Sequence, residues 1–124
     1  MTPDRKWCDP LRSVDVFGKG CDLPGVVSEL VELVEEDRHE EMLAASDKVI
    51  ALYGKSAQKS EREYVAYALY SKGFALFALG RIVEAHAAWR ALVKHFAIGE
   101  SDWIDYWLQE ARAQLVNQRG REFL

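Results

Sequence analysis

The sequence is poor in residues that interrupt helices and lacks the pattern typical of β-strands. It has 3 prolines in 124 residues, and all of them lie within the first 24 positions. Apolar and polar residues do not alternate over any long stretch, as they would in half-buried strands. No apolar run approaches the roughly 20 residues that a membrane span needs. These absences predict an all-α fold and argue against a membrane-spanning protein.

The sequence has only two cysteines, and no standard secretion signal is recognisable in it. The opening residues, MTPDRKWCDP, contain no apolar segment of the kind that a signal peptide has, so we expect a cytoplasmic protein. Cys8 and Cys21 are then expected to be reduced thiols rather than a disulfide. Zinc sites usually pair their ligands two to four residues apart, and these two cysteines have no such neighbours. We therefore expect no metal and no cofactor.

Acidic residues outnumber basic ones, giving a net charge of −4, and the excess lies in residues 1–62. This balance makes nucleic acid and anionic membranes poor partners. The densest run is 29–41, with seven acidic residues and one basic residue, Arg38. Such a run is either a solvated helix face or a surface that steers a basic partner. In the second case the binding residues are Glu32, Glu35, Glu36 and Glu40.

A chain of 124 residues is long enough for one domain with a hydrophobic core. Residues 1–24 contain all the prolines and are expected to form an irregular arm packed on the domain, while 25–124 form a single helical domain. A first helix is predicted over 25–36. Asp37 is interpreted as the N-cap of a second helix that ends at Gly54, and Ser60 as the N-cap of a third. A fourth helix is predicted over 81–97, and a fifth begins after the cap Ser101.

The stretch 66–97 predicts a tight helical hairpin. Apolar and small residues recur at steps of three and four on both sides of Gly80, which is expected to end the third helix in the left-handed conformation. With so little chain between them, the two helices must fold back antiparallel. Gly73 inside a helix marks a close approach of the partner helix. By a helical-wheel count Ala85 faces it, and Trp89 is the wedge between the helices.

This hairpin resembles a tetratricopeptide repeat (TPR), a helix-turn-helix unit that recurs about every 34 residues. Lys72 replaces the usual leucine and Ala97 the closing proline, and the resemblance covers about a quarter of the chain. Residues 23–54 resemble a second, degraded copy in which Met42 corresponds to Ala85 at an offset of 43 positions. The fifth helix has the place of a terminal cap. The pattern matches Leu69, Gly73, Leu76, Leu79, Gly80, Arg81, Glu84, Ala85, Trp89 and Leu92.

The resemblance implies a concave groove, lined by the first helix of each unit, that binds peptides or partner helices. Its residues here would form an aromatic stripe along the third helix. The alternative is that this helix is buried on both sides and the stripe is core. The lysine, arginine and asparagine with which some family members hold a terminal carboxylate are replaced here, so that activity is not expected. The implied groove residues are Tyr67, Tyr70, Ser71, Phe74 and Phe77.

No catalytic motif is evident. The sequence has no nucleophile elbow, phosphate-binding loop or HExxH pair. His39, His86 and His95 are interpreted as solvated or capping side chains. We therefore expect a non-catalytic protein–protein interaction module, an adaptor such as an immunity protein or a dedicated chaperone for a bacterial toxin or effector. The competing hypothesis is a self-associating scaffold that forms a homodimer, and an enzyme comes third.

Overall fold

The computed structural model describes residues 23–122, with side chains to Val116, and in this range it is all-α. The expected irregular arm, with Cys8 and Cys21, lies outside the described residues except for Leu23 and Pro24, which directly precede the first helix. The predicted five helices are confirmed in number and order. They are α1 (Gly25–Glu35), α2 (His39–Tyr53), α3 (Lys59–Ala78), α4 (Ile82–His95) and α5 (Asp102–Glu122).

The helices stack as two hairpins followed by α5. Within each hairpin α1 packs on α2 and α3 on α4, while α2 packs on α3 and α5 covers both α3 and α4. By contrast, α1 touches α3 only lightly. The helices supply one continuous core within the described residues. Its largest fully buried side chains are Trp89, Leu30, Leu92, Ile104, Leu108, Val27 and Val49.

Both hairpins turn in the same way. At the end of α1, Asp37 has a positive φ of 55°, and the Arg38 amide donates to the Leu33 carbonyl at 3.1 Å. At the end of α3, Gly80 has a φ of 81°, and the Arg81 amide donates to the Leu76 carbonyl at 2.8 Å. Each is a Schellman ending, in which one left-handed residue lets the chain satisfy the last helical carbonyls. The left-handed Gly80 that the sequence predicts is confirmed.

The residue after each left-handed position is an arginine that braces the next helix. Arg38 Nε donates to Glu41 Oε1 at 2.8 Å, and Arg81 Nε donates to Glu84 Oε1 at 3.1 Å. Each pair spans three residues at a helix start, where the positive end of the macrodipole favours the glutamate. The matching turn and brace recur at the offset of 43 positions that the sequence shows. The two turns, with the helix starts that follow them, therefore share one local geometry.

The close helix approach at Gly73 involves Trp89. A Cβ atom on Gly73 would lie 2.1 Å from Trp89 Nε1, so no other residue fits there without rearrangement. The three atoms nearest to that Cβ position all belong to the Trp89 indole. The predicted wedge is confirmed, since Trp89 is fully buried. In the first hairpin the equivalent positions hold Leu30 and Ser46, also fully buried.

Two predicted helix starts are wrong and one is confirmed. Asp37 is not an N-cap, because the Schellman ending of α1 places it in the left-handed region and Arg38 precedes α2. α3 begins at Lys59 after Gln58, with no side-chain cap, so Ser60 lies inside the helix. Ser101 does cap α5, since its Oγ accepts a hydrogen bond from the Ile104 amide at 3.0 Å.

An ion pair ties the start of α3 to the turn between α4 and α5. Arg62 Nε donates to Glu100 Oε1 at 2.6 Å, and the Arg62 guanidinium lies 4.7 Å from the centre of the Phe96 ring. Glu100 Oε2 also accepts from the Ala97 amide at 2.8 Å. The hydrogen bond from Arg62 lowers the pKa of Glu100, and the Ala97 amide lowers it further. This bridge holds α5 against α3.

Candidate functional site

The five predicted groove residues of α3 line one concavity of about 370 Å³. The opposite wall is the end of α1, the turn after it and the start of α2. We call this concavity the aromatic groove, and the two helices on its opposite sides, α1 and α3, make only light contact with each other. Its lining consists of Val34, Asp37, His39, Met42, Tyr67, Tyr70, Ser71, Phe74, Phe77 and Ala78.

The aromatic stripe is neither wholly core nor wholly surface. Tyr67 and Ser71 are buried, with 9% and 3% of their surface exposed, whereas Tyr70, Phe74 and Phe77 are half-buried. One side of α3 therefore anchors the stripe in the core while the other presents rings to the groove. The alternative, in which the whole stripe is part of the core, therefore fits Tyr67 and Ser71 but not the other three residues.

Trp89 supports the floor of the groove from below. The Phe74 and Phe77 rings lie 5.2 and 6.2 Å from the Trp89 ring, and Phe74 meets Tyr70 edge to face at 4.8 Å. Aromatic pairs at such distances are worth about 0.5–1.5 kcal/mol beyond the area they bury. The indole also donates a hydrogen bond from Nε1 to the Tyr70 carbonyl at 3.4 Å. The floor is thus preorganised by the core, so a partner need not order it.

Tyr70 stays neutral and polar at its tip. Burial raises the pKa of its phenol, and the nearby Tyr106 and Glu110 of α5 raise it further. A neutral phenol can donate a hydrogen bond at any physiological pH. The aromatic layer extends toward α5, because the Tyr67 and Trp107 rings lie 5.4 Å apart.

The turn between α1 and α2 gives the groove a polar end. Asp37 is exposed and has no ion pair in the described part of the chain, since its neighbour Arg38 binds Glu36 at 3.2 Å and also Glu41. The His39 ring is partly buried, and its Nδ1 is shielded from solvent without a hydrogen-bond partner among residues 23–116. Asp37 is the one aspartate, glutamate, lysine or arginine among the described residues of the lining.

Three of the lining residues, Asp37, His39 and Ser71, are the residue types of a hydrolytic triad. A triad requires the serine hydroxyl, the imidazole and the carboxylate to be linked by hydrogen bonds in series. No hydrogen bond joins any two of these three side chains in the structure. Their presence in one groove therefore does not form a catalytic relay.

The predicted acidic residues Glu32, Glu35, Glu36 and Glu40 are all exposed and do not line the groove. They lie on α1, on the following turn and at the start of α2, and Glu35, Glu36 and Glu40 are near neighbours in the chain of the lining residues Val34, Asp37 and His39. We call residues 29–41 the acidic face. Seven of its residues are acidic and one, Arg38, is basic, and Arg38 pairs with Glu36 and Glu41.

A second concavity of about 310 Å³ lies between α3 and α4. Its two charged residues already have partners, because Lys72 Nζ contacts Asp47 Oδ1 at 2.7 Å and Glu84 pairs with Arg81. The remaining lining is small or aliphatic, with no aromatic ring among the described residues. It offers fewer specific contacts than the aromatic groove.

Other kinds of site find no support in the described residues. No group of three or more histidine, cysteine, aspartate or glutamate side chains is placed to hold a metal ion there. None of the helices within residues 23–122 is long and apolar enough to cross a membrane.

The sequence missed the wall opposite α3. His39 was interpreted as a solvated or capping residue and Asp37 as a cap, yet both line the groove, together with Met42, which is also buried in the core. The 43-residue offset pairs Val34 of this wall with the groove residue Phe77, but it gives no such pairing for the other three residues. Comparison of the chain with protein-family models, with curated proteins and with solved structures gave no match. The functional argument therefore rests on the geometry of the groove.

Proposed function

We propose that this chain is a non-catalytic, TPR-like module that binds a partner protein through the aromatic groove and the acidic face. The observation that carries the proposal is the convergence of Tyr67, Tyr70, Ser71, Phe74 and Phe77 on one concavity. Clefts of about 300–1,000 Å³ with mostly apolar linings and a few polar groups are typical of binding sites.

The half-buried rings favour a protein partner. Binding hot spots are enriched in aromatic residues that become fully desolvated in the complex. Tyr70, Phe74 and Phe77 fit this description, because the core already fixes one side of each ring and the other side borders the groove. A partner that covers them gains hydrophobic free energy without having to order the rings.

The acidic face supports a basic partner. Exposed charges of one sign beside a binding site accelerate association with an oppositely charged protein, and salt weakens this effect. A concrete form of the proposal is an immunity protein or dedicated chaperone that works in the cytoplasm and covers a basic or apolar region of a toxin or effector. Its activity would be occlusion rather than chemistry.

A pull-down with a groove-blocking variant tests the proposal. Ala78 is exposed and lines the groove, so Ala78→Arg fills the cleft without entering the core. Ala51→Arg is the matched control, because Ala51 is exposed on α2 and does not line the groove. We expect a stoichiometric partner that wild type and Ala51→Arg retain, that Ala78→Arg loses, and that high salt weakens.

Light scattering on the same samples distinguishes the competing hypothesis. A homodimer that Ala78→Arg dissociates, with no other partner, would assign the groove to self-association. A partner held equally by all three proteins would place the binding site elsewhere on the surface.

A further inference from the structure

The two ends of the aromatic groove differ in chemistry. Along α3 the lining is dominated by rings, whereas the turn between α1 and α2 contributes the Asp37 carboxylate and the His39 imidazole. The Schellman ending holds the backbone of Asp37 in its left-handed conformation, so the place of this residue at the end of the groove is set by the turn. A segment lying in the groove would therefore meet an apolar surface and, at one end, a negative charge.

That negative charge is available to a ligand. The one cation of the acidic face, Arg38, is bound by Glu36 and Glu41 and has no contact with Asp37. No lysine or arginine is among the described residues that line the groove. An incoming carboxylate would be repelled there, whereas an ammonium or guanidinium group would find an acceptor with no competing cation.

His39 adds a second observation at the same end. Its Nδ1 is shielded from solvent and has no hydrogen-bond partner among residues 23–116, although it belongs to a side chain that lines the groove. A buried nitrogen without a partner carries a desolvation cost. The His39 side chain therefore places a polar group with unmet hydrogen-bonding capacity at the same end of the groove as Asp37.

We propose that the groove binds a protein segment in which an apolar side chain is followed closely by a lysine or arginine. The apolar side chain lies against Tyr70, Phe74 and Phe77, and the cation binds the Asp37 carboxylate. This inference rests on the proposed function and adds to it the chemical class of the segment. Charge complementarity selects this occupant over an acidic or purely apolar one.

Selection from a displayed library of random peptides against the full chain tests the inference. Binders that Ala78→Arg fails to retain are groove-dependent, and we expect them to share an apolar residue with a nearby lysine or arginine. One enriched peptide and its Lys/Arg→Gln version are then measured by fluorescence polarisation. The loss of the cation should weaken binding about tenfold, the usual scale for a charge-assisted hydrogen bond.

The chain offers a near-isosteric test of the carboxylate. Asp37→Asn removes the charge and keeps a residue that tolerates the left-handed conformation, so we expect about tenfold weaker binding and a flatter salt dependence. Asp102→Asn is the control, because Asp102 is exposed in the first turn of α5 and does not line the groove. It should bind as wild type does.

The outcomes separate the inference from the proposed function. Groove-dependent peptides without a basic residue, or binding that Asp37→Asn leaves unchanged, would overturn the inference while the groove remained a binding site. A library that yields no groove-dependent peptide would overturn both.

Discussion

The first hairpin, 25–53, and the second, 59–95, turn in the same way but differ in the residues packed between their helices. Both turn through a left-handed residue in a Schellman ending, and both brace the next helix with an arginine–glutamate pair. Between the helices, however, the positions related by the 43-residue offset hold different residues, which are Leu30 and Ser46 in the first hairpin and Gly73 and Trp89 in the second. All four are buried, and the large side chain belongs to the first helix of one hairpin and to the second helix of the other.

This exchange has a consequence for the groove. In the second hairpin Trp89 fills the space above Gly73 and extends under Phe74 and Phe77. In the first hairpin the equivalent residue, Ser46, has no ring that could support the groove. That hairpin contributes the polar turn between α1 and α2 instead. We infer that the second hairpin builds the floor of the groove and the first supplies its charged end.

The largest expected effect comes from removing the filler of the second hairpin. Trp89→Ala should lower the free energy of unfolding by about 3–5 kcal/mol, because it leaves a cavity that Gly73 cannot fill. The equivalent change in the first hairpin, Ser46→Ala, should raise it by up to about 1 kcal/mol, since the Ser46 hydroxyl is buried without a partner among the described residues. Urea denaturation measures both. Equal losses at the two positions would contradict the comparison.

Adding a large side chain at Gly73, inside the second hairpin, should destabilise the protein almost as much. Gly73→Leu places its Cβ within 2.1 Å of the Trp89 ring, and the expected loss is about 3 kcal/mol or more. The equivalent residue of the first hairpin is Leu30, so we expect the loss of stability to come from the clash with the Trp89 indole and not from the backbone arrangement that the two hairpins share. Gly25→Ala is the control, because nothing lies within 4 Å of a Cβ there. A Gly73→Leu protein as stable as wild type would refute the close approach.

A smaller effect is expected where the second hairpin is tied to α5. Glu100→Gln should cost about 1 kcal/mol at neutral pH, because it removes the charge that Arg62 binds. The folded-state pKa of Glu100 is lowered, so its contribution is present above its ordinary pKa of 4.5 and lost as the pH falls through the folded-state value. Unfolding curves of wild type and Glu100→Gln should therefore converge in acid. A constant difference down to low pH would exclude this pair as the cause.

The smallest effects are expected from exchanging the two left-handed residues. Asp37→Gly should stabilise the protein and Gly80→Asp destabilise it, each by about 0.5–1 kcal/mol, since glycine adopts positive φ without strain. No atom lies within 4 Å of a Cβ on Gly80, so the cost there is confined to the backbone. Thermal unfolding of the two variants would reveal effects of opposite sign. Effects of the same sign would show that the turns are not equivalent.

The sequence predicted most of the fold because its strongest signals are local. Helical spacing, Gly80 and Ser101 act within one or two turns of chain, and the structure confirms them. Asp37 was misinterpreted because aspartate suits both an N-cap and a left-handed position, and only the hydrogen bonds that end α1 decide between them. The contact of Trp89 with Gly73 depends on how far an indole reaches, which a helical wheel does not represent.

The side of the groove that lies on α3 was predictable because its signal is also local. Its five α3 residues follow helical spacing, so one element suffices to bring them onto one side. The opposite wall, with His39 and Met42, depends on how far α1 stands from α3. That distance is set by tertiary packing rather than by any pattern within α1 or α2.

The aromatic groove, with the turn between α1 and α2 at one end, is proposed to bind a protein segment. We would test this by titrating the ¹⁵N-labelled full chain with a peptide enriched from the displayed library and following the amide chemical shifts. We expect the largest shifts in 34–42 and 67–78, with α4 largely unaffected. Shifts concentrated on α2 and α4 away from these residues, or no peptide that produces saturable shifts, would contradict it.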